Sequence, residues 1–212
     1  MIQGSDEWYA IRCGKVTSSR IADLTATTKS GVSASRARYM GELIAERLTG
    51  VSSKGFQSPD MLAGKEKEAE ARALYEFRHD VDIQQIGFVH HPKIAMSGCS
   101  PDGFVGDNGG VEFKCPIVAT HIETLMTHKC PSHYLKQIQW NLACDGRAWR
   151  DYVSFCPEMP ANMQIFIKRV PRDDAMIADL EKHVVAFIVE LDARLCALRS
   201  AYDLDAVLRE SA

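Results

Sequence analysis

The segment Ser100-Pro101-Asp102-Gly103, followed after a Gly- and Asn-containing turn by Val111-Glu112-Phe113-Lys114-Cys115-Pro116, offers two carboxylates and an ammonium close together. Alternate side chains of a strand share a face, so Glu112 and Lys114 project together while Val111, Phe113 and Cys115 face the other way. If 103–106 and 111–115 pair across a turn at 107–110, Asp102 comes near the end of the strand that carries Glu112. Carboxylates that close raise each other's pKa unless a cation lies between them. An oxygen-only donor set favours a hard ion, Mg²⁺ or Mn²⁺, over Zn²⁺, and the backbone carbonyl of Phe113 can complete it. Lys114 can then orient or help deprotonate an attacking water and balance charge on a pentavalent phosphate, which is metal-assisted phosphodiester hydrolysis. A D…ExK string alone also describes a solvated hairpin, but here the apolar flanks make the charges costly unless they are used.

The elements that must position these groups read as a mixed α/β fold, with a restriction-endonuclease-like central sheet flanked by helices. Residues 34–49 predict a helix from Tyr39, Leu43, Ile44 and Leu48, with Gly50 as its stop. Ser58-Pro59 opens a second helix that runs to Phe77. Short β-rich runs at 83–89, 103–105, 111–115, 152–156 and 163–168 predict the sheet. Helices at 118–128 and 132–144 interrupt it, and a last helix over 173–200 repeats apolar residues every three or four positions. No repeat or linker divides the chain, so residues 1–212 are expected to share one core.

Composition sets the class. With 46% apolar and 25% charged residues and a formal charge of −3, the 212-residue chain is an ordinary globular protein. The longest pure apolar run, Val184 to Val189, is far short of the roughly 18 needed to cross a bilayer, and no leader precedes Trp8, so a cytoplasmic protein without membrane contact is expected. Seven unpaired-looking cysteines fit reduced thiols. The charge is uneven. Arg12, Lys15, Arg20, Lys29, Arg36 and Arg38 face one acid, Asp23, between 12 and 38, whereas 172–212 holds five basic and nine acidic residues. The first region suits phosphates and the last does not.

Five motifs in order give the chain a family resemblance. They are Trp8-x-x-x-Arg12-x-Gly14 running to Thr17-Ser18-Ser19; Gly64-Lys65-x-x-Glu68 with the helix to Leu74-Tyr75-Glu76-Phe77; Cys99-Ser100-Pro101-Asp102-Gly103; Glu112-Phe113-Lys114-Cys115-Pro116; and Tyr134-x-x-Gln137-x-Gln139. Across about residues 8–156 the chain resembles the λ exonuclease-like (YqaJ-type) viral recombinases of the PD-(D/E)xK nuclease superfamily. The resemblance implies a magnesium-dependent exonuclease that digests one strand of linear duplex DNA from the 5′ end to mononucleotides. It leaves a 3′ overhang for strand annealing, works with about two ions per site and acts as a ring-shaped homotrimer around the DNA. Asp102 would bridge the metals, Glu112 and the Phe113 carbonyl would bind, and Lys114 would act on the water. Glu68 matches the additional acidic residue, with Glu66 and Glu70 also within register, and Gln137 lies near the scissile phosphate. Arg12, Ser19 and Ser100 match the holders of the 5′-terminal phosphate, with Ser18 as the alternative hydroxyl. The resemblance also implies a phage or prophage origin, a bacterial host cytoplasm and a single-strand annealing protein as partner.

Some residues are assigned on other grounds. Lys29 is a DNA contact on charge alone, Met61 an apolar wedge against the duplex end or a core residue, and Trp8 a ring that fixes the segment presenting Arg12. The rivals are a PD-(D/E)xK endonuclease, which would cut closed circles, and a non-catalytic DNA-end scaffold, which would have no need of Asp102, Glu112 and Lys114. A zinc site from Cys99, Cys115, Cys130, His128 and His133 has irregular spacing, and His90-His91 are expected to decorate a turn before Pro92.

Overall fold

A computed structural model of the chain describes residues 1–29, 31–52 and 59–202, without the side chains of 59–66. Helix α1 (Asp6–Arg12) is capped by Ser5, whose side chain accepts from the Trp8 amide. Strand β1 (Val16–Thr17) runs through a 3-10 turn (Ser18–Arg20) into the one-turn helix α2 (Ile21–Leu24), and a hairpin of β2 (Thr27–Thr28) and β3 (Gly31–Val32) follows. Helix α3 (Ala34–Thr49) matches its expected bounds. Ser33 accepts from the Arg36 amide at its start, and Gly50 ends it at φ 69°. After α4 (Pro59–His79) come β4 (Ile83–Gln84), β5 (Val89–His90), β6 (Ser97–Cys99), β7 (Gly103–Val105) and β8 (Gly109–Lys114). The chain continues through α5 (Val118–Thr127), α6 (Ser132–Asp145), β9 (Trp149–Phe155), β10 (Ile165–Pro171) and α7 (Asp174–Ala201).

The larger sheet has the order β10-β9-β8-β7-β4, with β8 and β9 parallel and the other pairs antiparallel, and a second sheet has the order β1-β6-β5. Ala71 and Tyr75 of α4 pack with Val111 and Phe113 on one face of the larger sheet. Ile138 and Leu142 of α6 pack with Tyr152 on another side of it. A third cluster joins Val16, Tyr39, Leu43, Trp140, Val184 and Phe187, so α7 is covered by α3 and α6. The expected helix-flanked mixed sheet is therefore present. No described helix is long and apolar enough to cross a membrane.

Two expectations are corrected. The single strand expected over 83–89 is two strands in different sheets, β4 and β5. His91 belongs to the expected turn but is buried inside it rather than on its surface. It is 4% exposed, stacked on Trp140 at 4.8 Å, and its Nδ1 accepts from the amides of Lys93 and Ile94.

The guanidinium of Arg150, fully buried under Gly110, donates to the carbonyls of Gly103 (3.3 Å) and Val111 (3.0 Å) and pairs with Asp145. It thereby braces the two strands that carry Asp102 and Glu112. Breaking a buried pair leaves a charge uncompensated, so Asp145→Ala is expected to cost about 3–5 kcal/mol. Denaturant unfolding measures this, and a loss below about 1 kcal/mol would contradict the bracing role.

Candidate active site

The site is built on the β7–β8 hairpin, where Gly103 pairs with Val111. Asp102 therefore enters at the level of Glu112 and Phe113, and its Oδ2 accepts from the Phe113 amide at 2.7 Å. Gly103 cannot be replaced cheaply, because a Cβ there would lie 2.1 Å from Ile83 Cγ2 of the neighbouring strand. The N–H and C=O of one strand residue lie on the same edge, so the Phe113 carbonyl also faces the Asp102 side. Val111 and Phe113 point to α4, and Glu112 and Lys114 point together to the opposite face, as their alternation requires.

Helix α6 completes the opposite face. Tyr134, Gln137 and Asn141 are spaced by three and four residues and share one side of it. Glu112, only 1% exposed, accepts at Oε1 from Lys114 Nζ (2.8 Å) and Gln137 Nε2 (2.5 Å), and at Oε2 from Asn141 Nδ2 (2.8 Å). Lys114 Nζ also lies 5.2 Å from the centre of the Tyr134 ring. Gln137 is thus no solvent-facing amide. Asn141 went unread in the sequence, where only its position one turn beyond Gln137 marked it.

Glu68 comes from α4 and pairs with Arg72 at 3.3 Å. Glu70 is exposed, and the side chain of Glu66 lies outside the described residues, as does that of Met61. A cleft of about 450 Å³ opens beside these groups, lined by Gln3, Glu68, Arg72, Glu76, Gln85 and Asp102 among others.

Charge is crowded here. Burial, then Glu112 and Glu68, push the Asp102 carboxyl well above the ordinary range. Burial also pushes Glu68 up, with Arg72 opposing and Glu112 adding to the rise. Burial works against the Lys114 ammonium, but Glu112 and Asp102 outweigh it and hold its pKa above the usual lysine value. Burial, followed by Glu68 for one and Glu112 for the other, pushes the thiols of Cys115 and Cys130 up to about 12.

These residues fit a hard divalent cation. The donors are carboxylates and a carbonyl, and three carboxylates face Lys114 and Arg72, an excess of negative charge that an added cation relieves. Among the described residues no group of three or more His, Cys, Asp or Glu side chains is close enough to hold a metal ion by itself. The cysteines named for zinc are separated: Cys99 lies in the α3–α7 core, Cys115 against the α4 cluster and Cys130 against the α6 cluster.

The raised Asp102 pKa has a sign. Folding favours its acid form, so its stabilising contribution is complete below the unfolded value of about 3.9 and is lost as pH rises through the folded value. In cation-free buffer at pH 8, Asp102→Asn is expected to melt about 2–4 °C above wild type, the scale of 1 kcal/mol for a chain this size. The gain should fade toward pH 4, and a lower Tm at pH 8 would contradict the crowding.

A second group of residues meets at Ser100, two positions before Asp102. Arg12 Nη1 donates to Ser100 Oγ at 2.8 Å, and Trp8 Nε1 donates to the same oxygen at 2.9 Å. Arg12 lies 4.0 Å over the Trp8 ring. Among the described residues no carboxylate pairs with Arg12, and burial lowers its pKa. Thr17 pairs with Gly98, so Ser18 and Ser19 leave β1 beside the end of β6 that leads to Ser100. Ser18 is buried and Ser19 exposed, which makes Ser19 the hydroxyl open to a ligand.

The rest of the basic region is partly neutralised. Arg20 pairs with Asp23 and Glu42, each at 2.7 Å, and Arg36 pairs with Glu190 at 2.7 Å. Lys29 stands exposed in the turn between β2 and β3 and is not brought to the site residues by any described contact.

Comparison with known proteins gives the following. A family model described as the YqaJ-like viral recombinase domain matches residues 7–148. LHK-Exo, an alkaline exonuclease from Laribacter hongkongensis, is 46% identical, with a TM-score of 0.85 over 94% of this chain and 100% of that one. Its complex with dAMP is likewise 46% identical, with a TM-score of 0.87 over 93% and 97%. A phage-related exonuclease from Haemophilus somnus 129PT shares the fold at 12% identity, with a TM-score of 0.68 over 87% and 96%. No curated protein matches the chain.

Proposed function

The chain belongs to the YqaJ-like viral recombinase family, and we propose that it is a divalent-metal-dependent 5′-to-3′ exonuclease of linear duplex DNA. It releases 5′-mononucleotides from one strand processively and leaves a 3′ overhang for recombination by strand annealing. The observation that carries this reading is the convergence of Asp102, Glu112 and Lys114 at the end of one hairpin, with Glu68 facing them. The likeness to an alkaline exonuclease supports it.

Asp102, Glu112, the Phe113 carbonyl and Glu68 would hold Mg²⁺, or Mn²⁺ in its place, as about two ions. The cation supplies Lewis acidity and positive charge at the scissile phosphate. Glu112 is fixed for this role by three donors, so its carboxylate is oriented before substrate arrives. Lys114, kept charged by Glu112 and Asp102, holds the attacking water and offsets charge on the phosphate. Gln137 bridges Glu112 to the scissile phosphate.

Arg12, Ser19 and Ser100 hold the 5′-terminal phosphate. Among the described residues no carboxylate forms an ion pair with the half-buried Arg12 guanidinium, on which Glu46 acts only through its charge, and a phosphate satisfies it with a charge-assisted bidentate pair. Lys29 and Met61 contact the duplex outside this pocket. The chain acts as one domain within a homotrimeric ring, in a bacterial host cytoplasm, from a phage or prophage, beside a single-strand annealing protein. Arg12→Ala is expected to lower the preference for a 5′-phosphate over a 5′-hydroxyl end by about tenfold or more, the scale of one charged hydrogen bond. It should also shorten runs on long duplex without altering divalent-cation dependence. Initial rates on the two ends measure this, and an unchanged preference would reject the pocket.

A further inference from the structure

A serine hydroxyl has one donor and two acceptor positions. Ser100 Oγ receives two hydrogen bonds, from Trp8 Nε1 at 2.9 Å and from Arg12 Nη1 at 2.8 Å, so both acceptor positions are filled. Among the described residues its O–H finds no acceptor, and Ser100 is only half-buried, so that donor is left for a ligand or water. Trp8 and Arg12 are i and i+4 on α1, which places both on one side of the helix. The Trp8 ring also carries the Arg12 guanidinium 4.0 Å above its face, and Tyr9 meets that ring edge-on at 5.0 Å. The Trp8 side chain thus touches both groups of the pocket with different parts, its face under the guanidinium and its N–H on the hydroxyl.

We infer that Trp8 is a positioning residue whose indole N–H, together with Arg12, commits the Ser100 hydroxyl to act only as a donor toward the 5′-terminal phosphate. The inference rests on the 5′-phosphate pocket proposed above. Its consequence is discrimination. A phosphate offers acceptors alone and is matched by the Ser100 O–H and the remaining Arg12 N–H groups. A 5′-hydroxyl end can also accept from Ser100, but it is uncharged and brings a proton for which Ser100 has no acceptor position left. Without the indole N–H, Ser100 regains an acceptor position and freedom to rotate, and the pocket becomes tolerant of either end.

The test compares wild type, Trp8→Phe, Ser100→Ala and the double variant on linear duplex with 5′-phosphate or 5′-hydroxyl ends, with kcat and KM determined separately. Trp8→Phe keeps a ring beneath Arg12 and removes only the N–H. It should reduce the phosphate-over-hydroxyl ratio of kcat/KM about fivefold, the scale of one neutral hydrogen bond. The loss should appear mainly in KM for phosphorylated ends, with the rate on hydroxyl ends falling less. In the Ser100→Ala background the same change should move the ratio by less than about twofold, because the hydroxyl it acts through is gone. Equal losses on both ends would mean that Trp8 only supports the fold, and would overturn the inference. If Ser100→Ala lowers the ratio while Trp8→Phe does not, the inference fails and the pocket stands. If wild type shows no preference, or Ser100→Ala leaves it intact, the pocket itself fails and takes the inference with it.

Discussion

Asp102→Ala is expected to reduce hydrolysis of duplex DNA by about a thousandfold or more while the protein stays folded and binds DNA ends. Each factor of ten in rate is about 1.4 kcal/mol, and a carboxylate that holds the cation controls several kcal/mol of charge stabilisation at the phosphate. Asp102 makes one described hydrogen bond, to the Phe113 amide, and removing its crowded charge relieves Glu112 and Glu68. Loss of activity can therefore be read without a loss of fold. Glu112→Ala should be equally inactive but less stable, since it strands the donors of Lys114, Gln137 and Asn141 against one another. Initial rates beside a melting curve and an end-binding assay separate the two effects. Rates within about threefold of wild type for either variant would remove these residues from the active site.

Lys114→Met is the second large effect, a loss of about 10²–10³-fold, the range for removing one preorganised charge-stabilising donor. Methionine keeps the unbranched stem against Tyr134 but cannot hold a water or offset charge on the phosphate. Divalent cation binding should survive the change, because Glu112 keeps Gln137 and Asn141 as partners and Asp102 keeps the Phe113 amide. Single-turnover rates across a range of Mg²⁺ concentrations measure this. Rescue by excess Mg²⁺ would mean that Lys114 serves only to assemble the cation site, contrary to the role assigned to it.

The hairpin that carries this chemistry was legible because its signals are local. Strand alternation places Glu112 and Lys114 together, and a short turn fixes Asp102 against them. Helix α3 was legible for the same reason, with its apolar spacing and Gly50 stop both within the element. Strand β6 was not. Its sequence, Ser97-Gly98-Cys99, has little β preference, and it is a strand because its neighbours demand small residues: a Cβ on Gly98 would lie 2.3 Å from the Phe88 ring. The union of Arg12 with Ser100, 88 positions apart, lies beyond any periodicity, and only the family resemblance brought them together in the sequence. Buried polar residues were hardest to read. Asn141, His91 and Arg150 look like surface side chains by type, and each is buried because a particular partner awaits it. The basic region at 12–38 misled in part, since two of its charges are answered by acids in a way that counting charges does not reveal: Asp23 and Glu42 hold Arg20, and Glu190 holds Arg36, while Arg12 is tied to the Ser100 pocket.

The central claim is end-dependent hydrolysis of one strand. The most direct measurement incubates the protein with Mg²⁺ and linear duplex labelled on one strand, carrying a 5′-phosphate or a 5′-hydroxyl, beside closed circular duplex. Mononucleotides released from the phosphorylated 5′ strand, with the circle intact, are the predicted result. A nicked circle would contradict end dependence while leaving the Asp102, Glu112 and Lys114 chemistry in place, and intact DNA in every lane would contradict the nuclease itself.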